Sequence, residues 1–418
     1  MRKRKFVFGI LLITVLCAFS ACQKDDEQMI LRVAHWDVTT HHYVTPLIEA
    51  FKIAYPNVSI EIIDIPSADY TQRLTIMLNG GSDVDVFWIK DGDTTKSIAN
   101  RGQLADLSDY VKQDNIKLGD FHGLADRFII DNKLVALPAS TSYYVLYYNK
   151  DIFDNMRIPY PSNNMTWAEW ERLAGRLTSG SGNDKIFGGL LHTWQACVQN
   201  WGVQDGRYTI MDTDYSFFMP YYEMALRMQR AGHIMDYGTL KSLGVHYSSL
   251  FLGGSIATLP MGTWFFTTII ERIKNNESDI RWGISTLPHP PNTENGWTIG
   301  SVTPIAMNQA SRNKELAWKF INFITGIEGA KIYASYGQFP GRTNEETLNV
   351  IASLPGMPQG SAQALEVKNI VLDRPMELKV GEINQMLGEV HSLIMLEEVS
   401  IQRGLESMAR RSREIQGR

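Results

Sequence analysis

Short apolar segments alternate with amphipathic segments along most of the chain. Residues 31–36 have a strand-like, mainly apolar sequence and residues 58–62 alternate apolar and polar side chains, which predicts a strand at each position. Between them, Leu47, Phe51 and Tyr55 recur at helical spacing and predict an amphipathic helix. Repetition of this order predicts an α/β fold in which parallel sheets carry helices on both faces.

Two polar signatures and one apolar run sharpen this prediction. Thr166 with Glu169, and Thr343 with Glu346, have the spacing of a capping box, in which each side chain satisfies a backbone N–H of the other residue. Each pair predicts the start of a helix. Residues 84–89 are almost continuously apolar, as expected for a strand buried on both faces.

The first 21 residues have the order of a secretory signal peptide. Basic residues occupy positions 2–5, an apolar run covers residues 6–19, and Cys22 follows two small residues. The run is too short to cross a bilayer as a helix. Cys22 resembles the lipidated cysteine of bacterial lipoproteins, and an ordinary signal peptide with an incidental cysteine is the alternative. Residues 23–28 are polar and predict a flexible tether.

Composition narrows the class of protein. The chain has 418 residues, of which 44% are hydrophobic, and it has no second long apolar segment, which predicts two globular domains without a transmembrane span. Loss of the four basic residues of the signal changes the formal net charge from −5 to −9. We therefore expect no nucleic-acid partner. Cys22 and Cys197 are the cysteines after the signal, so we expect no intramolecular disulfide.

Several segments resemble the extracellular solute-binding proteins similar to maltose-binding protein. They occur in the order typical of that family and extend over essentially the whole chain after the signal. The segments are residues 83–88 (DVDVFW), 148–151 (YNKD), 166–170 (TWAEW), 259–264 (LPMGTW), 282–288 (WGISTLP), 313–329 and 336–340 (YGQFP).

The resemblance implies a periplasmic-binding-protein-like fold of two doubly wound α/β lobes joined by a hinge. Lobe one is expected over residues 29–138 plus 289–339, and lobe two over residues 139–288 plus 340–418. The hinge is expected near Leu137-Pro138 and Leu287-Pro288, with the ligand in the cleft between the lobes.

The implied function is that of a lipid-anchored, extracellular, monomeric protein that binds a carbohydrate, in particular an oligosaccharide, by hinge closure. It would deliver the sugar to the membrane subunits of an ABC importer, without cofactor or catalysis. A non-sugar solute such as a phosphate ester or an amine is the alternative, and a secreted glycoside hydrolase is a further one. Metal capture would rest on residues 41–43, which are better interpreted as a solvated loop.

Sugar sites combine flat aromatic surfaces with carboxylates, amides or hydroxyls, because a sugar ring has both apolar C–H faces and equatorial hydroxyls. Residues that follow predicted strands, or that match the family's motif positions, are therefore the candidates. They are Trp36, Asp37, Trp88, Asp91, Ser142, Tyr143, His192, Trp194, Trp264 and Trp297. For the aromatic residues the alternative is core packing, and for Asp91 it is capping of the following turn.

Overall fold

The computed structural model describes residues 29–81, 84–90 and 92–417. The predicted signal peptide and tether, Cys22 and Asp91 lie outside these residues. The described part of the chain has a mixed α/β fold, in agreement with the fold class predicted from the alternating pattern.

Strands lie in both halves of the chain. They are β1 Met29–Trp36, β2 Val58–Ile65, β3 Val86–Trp88, β4 Ile129–Ile130, β5 Lys133–Leu134, β6 Leu137–Asn149, β7 Thr258–Gly262, β8 Trp282–Thr286, β9 Trp297–Met307, β10 Phe339–Pro340 and β11 Asn369–Leu372. The strands predicted at residues 31–36 and 58–62 are confirmed as parts of β1 and β2, and the run 84–89 contains the fully buried β3.

Helices separate most of these strands. They are α1 Val44–Ala54, α2 Tyr70–Asn79, α3 Thr95–Asn100, α4 Ser108–Gln113, α5 Lys150–Met156, α6 Trp167–Leu177, α7 Ala196–Val203, α8 Met219–Arg230, α9 Tyr237–Leu243, α10 Tyr247–Leu252, α11 Phe265–Lys274, α12 Lys314–Thr325, α13 Ile327–Ser335, α14 Glu345–Ala352, α15 Ser361–Leu365, α16 Val380–Met395 and α17 Ile401–Gln416.

The main sheet has the strand order β10-β6-β9-β3-β1-β2, with β11 paired to β9. Pairing is parallel between β1 and β2, β1 and β3, and β9 and β11, whereas β3 with β9, β9 with β6, and β6 with β10 are antiparallel. The main sheet is therefore mixed, and the expected parallel pairing holds for only part of it. The long strands β6 and β9 are antiparallel neighbours in this sheet.

Strand β6 connects two sheets without interruption. Its first part, from Leu137 to Tyr143, pairs with β9, and its second part, from Tyr144 to Asn149, pairs with β7 and β8 in a second sheet. Pro138 is tolerated in this strand because the pairing with β9 is irregular between Pro138 and Ser140. The exchange of partners at Tyr143 and Tyr144 lies farther along the chain than the Leu137-Pro138 hinge expected from the sequence. The assignment of residues to lobes stays a prediction.

The two capping boxes differ in outcome. Thr166 caps α6: its hydroxyl accepts from the Glu169 N–H at 3.3 Å, and the Glu169 carboxylate accepts from the Thr166 N–H at 2.8 Å. The second predicted box is displaced by one residue, since Asn344 caps α14 with Thr347 as its partner. Thr343 is unavailable because its hydroxyl lies 2.7 Å from Nε2 of His122.

The two C-terminal helices, α16 and α17, pack against each other. Arg411 and Glu389 form an ion pair of 2.6 Å between them. Gly404 permits close approach, since a β-carbon there would lie 2.5 Å from the Ile394 side chain. Among the helices of the described residues, none is long and apolar enough to cross a membrane.

Candidate functional site

A cavity of about 320 Å³ lies where β6 passes from one sheet to the other. Its lining comes from β6, β9, α7 and α16, and from the turns after β7 and β11. The lining residues are Ser142, Tyr144, Trp194, Gln195, Ala196, Gln199, Asn200, Ile210, Trp264, Ser301, Asp373, Arg374 and Asn384. The volume falls within the range of small-molecule sites.

The alternation of side chains along β6 decides which of its residues reach the cavity. Ser142 and Tyr144 lie on the cavity face, and the Ser142 hydroxyl is 2.9 Å from the Ser301 hydroxyl of β9. Tyr143 points to the opposite face, where it is buried and donates to the Leu365 carbonyl at 2.8 Å. The structure therefore places Tyr143 in the core, in contrast to its expected position in the cleft.

Trp264 lies in the turn between β7 and α11 and lines the cavity. The residue remains exposed, at 39% relative accessibility. The indole Nε1 donates to the Tyr247 hydroxyl at 3.1 Å, and the Tyr144 ring meets the indole edge to face at 5.4 Å. The indole is thus held in place while part of it faces the cavity.

Trp194 and His192 are adjacent, but their environments differ. Trp194 is 38% exposed and lines the cavity just before α7, whereas His192 is buried behind it with its ring 4.8 Å from the Trp194 ring. Burial, together with the nearby His246 and Lys241, lowers the pKa of His192 to about 4. His192 is therefore a neutral support for Trp194 and does not line the cavity.

Trp36 and Trp88 lie in the core of the main sheet. Trp88 is 1% exposed and donates its Nε1 to the Tyr333 hydroxyl at 3.2 Å. Trp36 stacks on His35 with ring centroids 4.4 Å apart. Burial lowers the pKa of His35 to about 3, so this histidine is also neutral. Both tryptophans are buried, and neither lines the cavity.

Three further candidates lie away from the cavity or outside the described residues. Asp37 has a left-handed backbone, with φ of 44°, and accepts from the Ser67 N–H at 2.9 Å, which fixes the loop after β1. Trp297 is half-buried at the start of β9, and its carbonyl accepts from Gln204 at 2.9 Å. Asp91 lies outside the described residues, so its role stays a prediction.

The structure also brings together polar residues that sequence reasoning missed. They are the amides of Gln195, Gln199, Asn200 and Asn384, the hydroxyl of Ser301, and the charged pair of Asp373 and Arg374. The last two directly follow β11, so a systematic inspection of residues after strands would have found them. The helix-borne amides have no local signal, because only packing of α7 against α16 brings them to one cavity.

Asn200 is the amide whose position is most informative. Its side chain lines the cavity and is 3% exposed, yet its Nδ2 has no hydrogen-bond partner within the described residues. By contrast, Gln195 donates to Asn384 at 3.0 Å and Gln199 donates to Tyr222 at 2.8 Å. A buried donor without a partner is costly. Asn200 is therefore suited to donate to a polar group of a ligand.

A second recess of about 100 Å³ adjoins the cavity and shares Ser301, Asp373 and Arg374 with it. Lys90 lines its far side and donates to the Ser67 carbonyl at 2.7 Å. The cavity and recess together offer hydroxyls, amides and charges of both signs beside two indole faces.

A shallow groove on α14 has a larger volume than this cavity. It is lined only by residues of that helix and its two capping residues, and none of them is aromatic.

Comparison with known proteins shows which family the chain belongs to. The sequence profile described as bacterial extracellular solute-binding protein matches residues 40–331. The chain belongs to this family. A structure of a sugar transporter from Rhizobium etli in an open conformation is 39% identical, with a TM-score of 0.90, and the match covers 92% of this chain and 99% of that one.

More distant members have the same fold or a related sequence. The sugar-binding protein MalE from Xanthomonas citri is 19% identical, with a TM-score of 0.78 and coverage of 93% of this chain and 98% of that one. The galactooligosaccharide-binding protein of Bacillus subtilis is 24% identical over 286 residues, which are 66% of this chain and 64% of that protein. The resemblance noted in the sequence is thus confirmed for the whole fold.

The contrast between Trp88 and Trp264 leads to a prediction about stability. Trp88→Ala should lower the free energy of unfolding by about 3–5 kcal/mol, because it leaves a cavity in the core. Trp264→Ala should change it much less, because the indole is partly exposed. Urea denaturation of both ligand-free variants measures this difference. Equal losses would place Trp264 among the core residues and remove it from the site.

Proposed function

We propose that this solute-binding protein captures a carbohydrate in the cavity between the two sheets and delivers it to the membrane subunits of an ABC importer. The observation that carries the proposal is the combination of two exposed indoles, Trp194 and Trp264, with a ring of amides and hydroxyls in one cavity. Apolar faces beside polar groups match the two kinds of surface that a sugar ring presents.

The polar groups fit a ligand rich in hydroxyls. Asn200 has an unpaired buried donor, Asp373 supplies a carboxylate, and Arg374 supplies a fork of donors. A hydroxyl both donates and accepts, so a polyol can satisfy this mixture, whereas a phosphate ester would favour a lining with a clear excess of cations. Among the described residues that line the cavity, Asp373 balances Arg374, and Lys90, the further cation of the adjoining recess, donates to the Ser67 carbonyl at 2.7 Å.

An oligosaccharide is the more specific form of the proposal. The cavity continues into the recess beside Lys90, which gives room beyond a single ring. A related protein of Bacillus subtilis is named for galactooligosaccharides, and a structural neighbour from Listeria monocytogenes was solved with cycloalternan. The latter is 20% identical to this chain, with a TM-score of 0.75, so it supports the fold alone.

We propose that the two sheets close around the ligand by a hinge motion, because the cavity lies between them. Ser301 belongs to β9 in the main sheet, and Trp264 follows β7 in the second sheet, so a ligand that contacts both joins the two sheets. The Rhizobium structure, which is the more similar one, was described as open. A ligand that contacts both sides only after closure shifts the equilibrium toward the closed form.

A glycoside hydrolase is the second candidate, and the described cavity argues against it. Hydrolysis of a glycosidic bond needs two carboxylates on opposite sides of that bond. Among the described residues that line the cavity, Asp373 is the one carboxylate. We therefore propose a binding protein without catalysis. From the lipoprotein-like N-terminal sequence we further propose that Cys22 carries the lipid that holds the protein, as a monomer, at the outer face of the membrane.

Carbohydrate binding is tested with a panel of mono- and oligosaccharides. A sugar at 100 times its Kd should raise the free energy of unfolding by about 2.7 kcal/mol, which a thermal-shift assay detects. With the best sugar, Trp264→Ala should weaken the affinity about tenfold or more by calorimetry, because a stacking surface is lost. Trp297→Phe, outside the cavity, should leave the affinity unchanged. A uniform loss in both variants would contradict the site.

Closure is tested by small-angle scattering. The radius of gyration should decrease when the same sugar saturates the protein, because the two sheets and their helices move together around the ligand. A sugar that the thermal-shift assay rejects serves as the control. An unchanged radius at saturation would rule out closure while leaving sugar binding intact.

Anchoring is tested with Cys22→Ala in the full-length chain. The variant should lose acyl labelling and should remain uncleaved or be released from cells, because the proposed anchor depends on this thiol. Fractionation of cells and medium measures the outcome, and Cys197→Ser, whose residue is buried in α7, is the matched control. Processed protein that stays with the membrane without its acyl group would contradict the anchor.

A further inference from the structure

Both indoles that line the cavity contact one residue behind it, Tyr247. The Tyr247 hydroxyl accepts from Nε1 of Trp264 at 3.1 Å. The Tyr247 ring lies edge to face with the Trp194 ring, at a centroid distance of 5.7 Å. Tyr247 itself is 5% exposed and does not line the cavity. One buried side chain thus touches both candidate stacking surfaces from outside the site.

The position of Tyr247 is itself fixed by its surroundings. It is the first residue of α10, where His246 caps the helix by accepting from the Ser248 N–H. The His246 ring lies 4.0 Å from the Tyr247 ring on one side, and the Phe265 ring lies 5.1 Å away on another. These contacts fix the Tyr247 ring, so its hydroxyl is held beside Nε1 of the Trp264 indole.

Trp264 has few other polar restraints. Its six-membered ring folds back over Gly262 at the end of β7, where a β-carbon would lie 2.0 Å from Cζ3 of the indole. The Tyr144 ring also packs against the indole, nearly perpendicular to it, with ring centroids 5.4 Å apart. Packing limits the tilt of the indole, but the hydrogen bond to Tyr247 is the directional contact that fixes its rotation.

We propose that Tyr247 is a positioning residue for the sugar site, which orients Trp264 by its hydroxyl and Trp194 by its ring before any ligand binds. The inference rests on the proposed carbohydrate function and adds to it a residue outside the cavity. Holding the indoles in the binding orientation reduces the ordering cost of association. Removal of the hydroxyl alone should therefore weaken binding although no ligand contact is lost.

Tyr247→Phe is the central variant, because it keeps the ring against Trp194 and removes the acceptor for Trp264. We expect the affinity for the best panel sugar to fall roughly threefold to tenfold, as for the loss of one hydrogen bond. Tyr237→Phe is the matched control: Tyr237 is buried on the preceding helix α9, and its hydroxyl lies 2.8 Å from Ser392, away from the cavity. Its affinity should match that of the wild type.

A double-mutant cycle separates positioning from a general effect on packing. Trp264→Phe keeps a flat ring but has no N–H to donate, so adding Tyr247→Phe to it should cost little further affinity. In addition, the indole N–H resonance of Trp264 in a nitrogen-15 spectrum of the ligand-free protein should move in Tyr247→Phe and stay in Tyr237→Phe. The resonance reports loss of the hydrogen bond, and a small further loss of affinity in the Trp264→Phe background is the result that a general effect on packing would not give.

The outcomes distinguish this inference from the proposed function. If the wild type binds a sugar and Tyr247→Phe binds it equally well, or loses as much affinity in the Trp264→Phe background, the positioning role is wrong and the carbohydrate function stands. If the wild type binds none of the panel sugars, the proposed function fails and the inference fails with it. A selective loss that disappears in the Trp264→Phe background supports both.

Discussion

The backbone hydrogen bonds of β6 hold the two sheets of this protein together. One continuous strand pairs with β9 in its first half and with β7 and β8 in its second half, so the two sheets share one element. Tyr143 pairs with β9 and Tyr144 pairs with β7, so the change of partner falls between two neighbouring residues. The cavity forms where the partners change, and its geometry depends on this strand.

The pleat of the same strand selects the residues of the site. Ser142 and Tyr144 reach the cavity, while Tyr143 between them contributes to the core through its bond to Leu365. The other walls come from distant parts of the chain: α7, the turn before α11, the turn after β11, and α16. Residues 373, 374 and 384 lie beyond the segment that matches the family profile. The family profile therefore does not cover this C-terminal part of the wall.

The four tryptophans Trp36, Trp88, Trp194 and Trp264 differ in burial and therefore in role. Trp36 and Trp88 fill the main sheet and bond or stack with buried partners, whereas Trp194 and Trp264 keep part of their surface free. The free surfaces remain ordered because a shell of buried rings, including His192 and Tyr247, packs behind them. Desolvation keeps His192 neutral at physiological pH, so this shell adds no charge to the site.

Local patterns in the sequence were sufficient for the strands β1 and β2, the Thr166 capping box and the α/β class, because each depends on residues that are neighbours in the chain. The ordered motifs also indicated the family. Sequence alone could not separate Trp88 from Trp264, since each lies at or just after the end of a strand and only the layers packed around them decide which one is covered. It could not place Asn200, Asn384 and Arg374 in one cavity, because their approach is produced by the packing of α7, β11 and α16.

Thr343 shows the same limit on a small scale. Its spacing to Glu346 fits a capping box, but its hydroxyl contacts His122, which is distant in the sequence, and Asn344 caps the helix instead. A local pattern cannot reveal such a distant competitor.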